Sequence, residues 1–161
     1  MLFIINGLKK RHILGLTYVE LLISVSILAI LALGAVPLAQ VSIQRKKEID
    51  LRRVLREMRD AIDQFKLYID EGKISQEYID QEGYPPDLET MVEGVREKGS
   101  LEKTYRFLRR IPVDPMTGEA EWGLRSYQDE PDSTSWGGQN VYDVYSLSKK
   151  KAIDGTYYKD W

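Results

Sequence analysis

Glu20 is the residue whose chemical type and position most demand a partner. Its carboxylate stands at the mouth of a long apolar segment, because no residue from Leu21 to Gln44 carries a formal charge. Gly15 lies five places ahead of it, and Lys9, Lys10, Arg11 and His12 precede the glycine. An ionised side chain in such a segment costs roughly 2.5–3.5 kcal/mol at a helix centre and less near the interface. The chemistry that this placement invites is ion pairing, in which a cation from elsewhere cancels the charge.

Catalytic chemistry has little to work with. The chain has no cysteine, so a disulfide framework, a zinc-thiolate site and a thiol nucleophile are all excluded. His12 is its one histidine, which removes the commonest general base and metal ligand from everything that follows. No spacing among the remaining carboxylates, hydroxyls and lysines forms a recognisable catalytic set, and there is no phosphate-binding loop.

The element that must position Glu20 is the apolar run itself, and it has several readings. A secretory signal peptide would end at a small-residue site near Ala32-Leu33-Gly34. Glu20 breaks the start of such an apolar region, and the run exceeds the roughly 15 residues usual there. A plain membrane anchor would leave Glu20 among the headgroups. A buried core helix is disfavoured by a run of this length with so few charges. As a helix, residues 21–44 extend about 36 Å at 1.5 Å per residue, against a hydrocarbon core of about 30 Å. Gly34 and Pro37 interrupt the run. Proline removes one helical hydrogen bond and clashes with the preceding turn, so a kink or local melting is expected at residues 33–37, unless Pro37 simply marks the interfacial end of the span.

The stretch Gly15-Leu16-Thr17-Tyr18-Val19-Glu20-Leu21-Leu22, with the uncharged run behind it, resembles the class III leader of type IV prepilins and type II secretion pseudopilins. The resemblance implies peptidase cleavage between Gly15 and Leu16 on the cytoplasmic side, N-methylation of Leu16, and pairing of Glu20 with the N-terminal amine of a neighbouring subunit in a filament. Leu16 stands where the family usually has phenylalanine. Lys9, Lys10 and Arg11 are three of the 23 basic residues, so a chain beginning at Leu16 has 20 against 25 acidic ones, about −5. Such a balance does not fit a nucleic-acid binder, whose domain is normally basic. Topology pulls the other way. The flank after the run holds Arg45, Lys46, Lys47, Arg52, Arg53, Arg56 and Arg59, and counting basic residues alone would put that side in the cytoplasm. A leader read by a cytoplasmic-side peptidase requires the reverse.

Beyond the run, Leu51, Leu55, Met58, Ile62, Phe65 and Ile69 step by 4, 3, 4, 3 and 4, an apolar stripe on one helical face. One helix is therefore expected from about Leu16 to Ile69, apolar all round in its first half and amphipathic in its second. Arg56–Asp60 and Arg59–Asp63 are at pairing distance along it. The stripe can pack on the protein's own domain or on a second helix. It covers fewer than three heptads without ordered flanking charges, which favours its own domain. Asp70-Glu71-Gly72-Lys73 stops the helix, and Ile74–Gly83 reads as a polar connection. Tyr84-Pro85-Pro86 enters extended, and Asp87–Val95 reads as a short helix. Leu101–Arg110 reads as partly helical, with Tyr105 and Leu108 buried. Asp114-Pro115-Met116-Thr117-Gly118 reads as a type I turn. Trp122–Tyr127, Val141–Ser146 and Tyr157–Trp161 are candidate strands of one small antiparallel sheet, separated by loops Gln128–Asn140 and Leu147–Thr156.

Tyr84-Pro85, the stretch Leu108-Arg109-Arg110-Ile111-Pro112-Val113-Asp114-Pro115, Tyr142–Leu147 and Lys159-Asp160-Trp161 are similar to the G-type major pseudopilin of type II secretion. That resemblance implies an α+β, type IV pilin-like fold in four parts: leader 1–15, membrane half of the helix 16–44, amphipathic half 45–70 and globular domain 71–161. It implies a structural subunit, not an enzyme, with no nucleic-acid partner. The subunit would polymerise with copies of itself into a pseudopilus that supports export of folded proteins. Its partners would be prepilin peptidase, other pseudopilins and an inner-membrane secretion platform. Its place would be a single pass of the bacterial inner membrane with the C-terminal domain periplasmic. A type IV pilin of a surface fibre is the alternative, with the absence of paired C-terminal cysteines against it.

The same family implies calcium, held by oxygens in the loop between the last two strands. The corresponding loop here carries Ser148, Lys149, Lys150, Lys151 and Asp154, of which Asp154 alone is clearly a ligand type. Calcium takes roughly six to eight oxygens, so a lysine-rich solvated loop is the better reading. The acidic cluster Asp129, Glu130 and Asp132 with Ser133 lacks the spacing of an EF-hand loop. The aromatics Trp122, Tyr127, Trp136, Tyr142, Tyr145, Tyr157, Tyr158 and Trp161 are expected in the core against the helix, with Trp136 the one to watch at a loop tip.

Overall fold

The computed structural model describes residues 15–75, 82–100 and 102–161, without the side chains of 34–36. Lys9, Lys10, Arg11 and His12 of the expected leader lie outside the described residues, as do residues 76–81 of the polar connection. The chain divides into two units, Met1–Gln40 and Val41–Trp161. Helix α1, Tyr18–Asp70, has residues in both.

Thr17 caps the start of α1. Its Oγ1 accepts from the backbone N–H of Glu20 at 3.2 Å, and its carbonyl accepts from Leu21 N at 3.0 Å. Thr17-x-x-Glu20 is thus the side-chain half of a capping box. The apolar residues of the first unit, from Tyr18 to Leu33, are exposed throughout. The two serine hydroxyls within it are satisfied locally, Ser24 on the Glu20 carbonyl and Ser26 on the Leu22 carbonyl, each at 2.7 Å. This is how a polar side chain is accommodated in an apolar helix. The helix runs without a break through residues 33–37, with Pro37 inside it, so the expected melted stretch is not found.

The far end of α1 stops as the sequence predicts. Gly72, at φ 69°, donates to the Ile69 carbonyl at 2.8 Å, and Lys73 N donates to the Tyr68 carbonyl at 2.9 Å. This pair of bonds is a Schellman cap, and the left-handed residue it needs is the glycine. The amphipathic half of α1 buries Leu51, Leu55, Met58, Ile62 and Phe65, with Val54 and Ala61 widening the stripe. All but Phe65 pack against Leu88, Met91, Leu108, Trp122, Val141, Val144, Ala152 and Tyr158 of the same chain, and Phe65 packs with Ile74 and Val95. The stripe is therefore occupied by the protein's own domain. The i,i+4 pairs expected at Arg56–Asp60 and Arg59–Asp63 are not formed. Along α1 the ion pairs are Arg53–Asp50 and Lys66–Asp70, and Arg59 is drawn away to a strand.

Helix α2, Leu88–Glu93, starts at the expected place because Asp87 Oδ1 accepts from Thr90 N at 2.7 Å. The chain then forms a hairpin rather than a third helix: β1, Val95–Arg96, pairs antiparallel with β2, Thr104–Tyr105, in the register Val95↔Tyr105. The expected partly helical Leu101–Arg110 is overturned by this pairing, and Phe107 and Leu108 N–H groups both donate to the Met91 carbonyl at 3.0 Å. The second sheet pairs β3, Gly123–Arg125, with β4, Asp143–Tyr145, also antiparallel. The third expected strand, Tyr157–Trp161, is instead a 3-10 helix at Tyr158–Asp160 with one bridge, Lys151↔Tyr157. The protein is thus α+β: among the described residues there are one long helix and two small antiparallel sheets, in place of the single sheet expected.

The turn at Asp114 is wider than a four-residue turn. The Asp114 carbonyl accepts from Gly118 N at 2.8 Å, while its Oδ1 accepts from Met116 N at 2.7 Å. Its Oδ2 accepts from the Ser146 hydroxyl at 2.6 Å, and both side chains are fully buried. Gly123 is required for a different reason: a Cβ there would lie 2.2 Å from the Tyr145 ring that covers it across the ladder.

Candidate functional site

Glu20 is exposed and sits in the first turn of α1. The free N–H groups and the positive end of the helix dipole favour a carboxylate there, which supplies partial compensation within one chain. Gly15 and Leu16 precede the helix in non-helical backbone, and Leu16 is exposed. The other marked residues of this unit, Gly34 and Pro37, lie within the continuous helix.

In the second unit, charge converges on Asp143 of β4. Arg59 Nε of α1 donates to Asp143 Oδ1 at 2.7 Å, and Arg125 Nη1 of β3 lies 3.2 Å from Oδ2. Arg125 is the cross-strand neighbour of Asp143 in the β3–β4 register. The guanidiniums then reach further. Arg59 Nη2 donates to the main-chain oxygen of Trp161 at 2.7 Å, and Arg125 donates to the carbonyls of Ser133 and Lys159 at 2.9 and 3.1 Å. The Arg125 guanidinium also lies 4.2 Å from the Tyr145 ring centroid. One carboxylate and two planar cations therefore tie α1, both strands of the second sheet, the 128–140 loop and the C-terminal segment together. No sequence signal marks this set, because its members are far apart in the chain.

Asp154 lies elsewhere. Its Oδ1 accepts from the Thr156 N–H at 3.0 Å and from the Thr156 hydroxyl at 2.7 Å, and its Oδ2 lies 3.9 Å from Arg52. The Thr156 hydroxyl, then its N–H, hold the carboxyl below the usual range. Among the described residues, no three Asp, Glu, His or Cys side chains converge as a metal site. One carboxylate already turned onto its own loop, beside three lysines, does not fit a calcium ion that needs roughly six to eight oxygens.

Asp129 serves its loop in the same way. Its Oδ2 accepts from Ser126 N at 2.7 Å and Gly137 N at 3.0 Å, which lowers its pKa. The aromatic expectations divide. Trp122, Tyr145 and Tyr158 are buried, and Trp122 Nε1 donates to the Pro112 carbonyl at 2.9 Å. Tyr127, Trp136, Tyr142 and Tyr157 are exposed rather than in the core. Tyr127 and Tyr142 pack with Tyr84 at centroid distances of 5.1–5.7 Å, and Trp136 Nε1 donates to the Asn140 carbonyl at 2.8 Å.

The loop carrying Asp154 is fixed to α1 by Glu48. Glu48 Oε1 accepts from the Tyr158 hydroxyl at 2.8 Å, from Ile153 N at 2.9 Å and from Gln44 Nε2 at 3.2 Å. Gln44 Nε2 also lies 3.1 Å from the Lys151 carbonyl. Burial pushes the Tyr158 hydroxyl pKa up, which keeps it a donor to Glu48. Comparison of the chain with protein-family models, curated proteins and solved structures gave no match.

Proposed function

We propose that this chain is a structural subunit of a type II secretion pseudopilus. A prepilin peptidase cuts after Gly15, Leu16 becomes the N-methylated first residue, and subunits polymerise to support export of folded proteins. The protein is not an enzyme; a separate ATPase of the inner-membrane platform supplies the energy. The subunit waits in the inner membrane as a single-pass protein with its domain in the periplasm, in contact with copies of itself and with other pseudopilins.

The observation that carries this reading is the spacing Gly15–Glu20 ahead of the uncharged run, within a helix long and apolar enough to cross a membrane. An incoming subunit brings an unpaired Glu20 carboxylate out of the bilayer. The amine at Leu16 of a neighbour neutralises it where few water dipoles compete. A subunit out of step leaves both ions uncompensated, so the pair also sets axial register. The burial of the amphipathic stripe of α1 against its own domain supports a subunit that leaves the apolar half for filament contacts.

Mass spectrometry of native material tests the reading in one measurement. N-methyl-leucine at position 16 is the expected N-terminus. Material that retains Met1, or begins near Ala35, overturns it.

A further inference from the structure

The 149–151 lysines are distant in sequence from the end of the apolar run, and the tertiary structure brings them to it. Gln44 is the last residue of that run, and its Nε2 lies 3.1 Å from the Lys151 carbonyl, across 107 residues. Glu48 holds the next part of the loop through Ile153 N at 2.9 Å. Lys149 and Lys150 are within two residues of Lys151, hence within about 7 Å along the chain. Arg45, Lys46 and Lys47 begin the charged part of α1 immediately after Gln44. Six cations thus gather at one level of the molecule, and all six are exposed.

The acids nearby in sequence are already engaged. Glu48 accepts three hydrogen bonds, Asp50 pairs with Arg53, and Asp154 is held by Thr156 and Arg52. Exposed apolar side chains accompany the lysines, Leu147 at 45% and Ile153 at 44% on the same loop and Tyr157 at 42% just after it. The Lys151 ammonium lies 4.9 Å from the Tyr157 ring centroid. Cations with an aromatic and an aliphatic side chain, next to a membrane-length helix, are the composition of a membrane interface.

We propose that Arg45, Lys46, Lys47 and the Lys149–Lys151 loop form a basic collar that docks on the anionic phospholipid headgroups around the chain's own span. The inference rests on the reading of residues 21–44 as that span, and it holds for either orientation. Continuity with the span selects lipid over a soluble partner: the collar follows the last uncharged residue directly along α1. At such an interface long basic side chains lay their apolar stems along the boundary and keep their ammonium groups on the phosphates.

The chain has no cysteine, so Ile153→Cys offers a single labelling site for an environment-sensitive fluorophore. The full-length protein is reconstituted in vesicles of phosphatidylcholine alone, or with about a third phosphatidylglycerol. Each cation near an anionic surface is worth about fivefold in binding. Lys149→Glu/Lys150→Glu/Lys151→Glu is therefore expected to lower loop docking by about 100-fold or more, and the three lysine-to-arginine changes to preserve it. The expected signal is a blue-shifted, headgroup-quenchable emission in anionic vesicles that high salt abolishes. Equal emission in the two lipids, or an undiminished signal in the charge-reversed variant, overturns the collar and leaves the lysines to a protein partner. An alkaline carbonate wash separates the two levels: a chain stripped from the vesicles sinks the span and the collar together, whereas a retained chain with a lipid-blind probe sinks the collar alone.

Discussion

Arg59 on α1 donates to Asp143 on β4 at 2.7 Å, across 84 residues, and the same carboxylate faces Arg125, whose side chain is nearly buried. Removing the acid while keeping its shape leaves Arg125 without a counter-charge. Asp143→Asn is expected to destabilise the domain by about 2–4 kcal/mol, because an unpaired charge is far costlier than a missing pair. Arg59→Met costs less, since Arg59 is more exposed and Asp143 keeps Arg125. Combining the two gives a coupling of about 1 kcal/mol or more. Thermal unfolding in detergent micelles, followed by circular dichroism, measures all three; additivity would show that Arg59 and Asp143 act independently.

One substitution separates the proposed pairing of Glu20 from its place in the first turn of α1. Glutamine can stand at the third position of a capping box as glutamate does, but it carries no charge. Glu20→Gln is therefore expected to keep the helix and membrane insertion and to lose filament assembly. Sheared-filament yield and carbonate extraction report the two properties. Wild-type yield from Glu20→Gln would mean that the cap alone is what the position supplies.

Gly123 lies beneath the Tyr145 ring. Gly123→Ala forces that ring aside, because the added carbon would meet it at 2.2 Å, and overpacking of this kind costs about 1–3 kcal/mol. The expected loss is in the midpoint of urea unfolding. An unchanged midpoint would mean that the β3–β4 ladder yields without strain.

Asp129 and Glu97 set an acid limit. Asp129 is held below the usual carboxylate range by the N–H groups of Ser126 and Gly137, and Glu97 by hydrogen bonds from Lys103 and Tyr105. A depressed folded pKa adds stability that is present above the unfolded value, near 4 for these groups, and is lost as pH falls through the folded value. Unfolding midpoints are expected to be level from neutral pH to about 5 and to fall below that. Asp129→Asn is expected to lower the neutral plateau and flatten the acid limb, so that the two curves converge at low pH; an acid limb as steep as the wild type's would assign the effect elsewhere.

Calcium is expected to leave stability unchanged. A ligand that binds only the folded state raises its stability in proportion to the logarithm of its concentration over Kd. With Asp154 turned onto Thr156, millimolar calcium or a chelator should move Tm by less than about 1 °C. A calcium-dependent rise lost in Asp154→Ala would restore the loop as a metal site.

What the chain's own order of residues determined is the part of the structure governed by neighbours. The stripe from Leu51 to Phe65, the stop at Gly72 and the cores of β3 and β4 all follow from local periodicity or φ preference, and each is found where it was expected; the short helix read over Asp87–Val95 is found as Leu88–Glu93. The Gly15–Glu20 spacing is likewise written in adjacent residues. What required the tertiary structure is everything settled by distant partners. Thr104–Tyr105 pairs with Val95–Arg96 instead of joining a helix, and Tyr158 turns into a 3-10 helix with its hydroxyl on Glu48. Arg59 prefers Asp143, 84 residues away, to Asp63 one turn along its own helix. In that last case a charge gains more from a half-buried, doubly held carboxylate than from a solvated one on the same face, and no spacing of four along a helix reveals which of the two it will find.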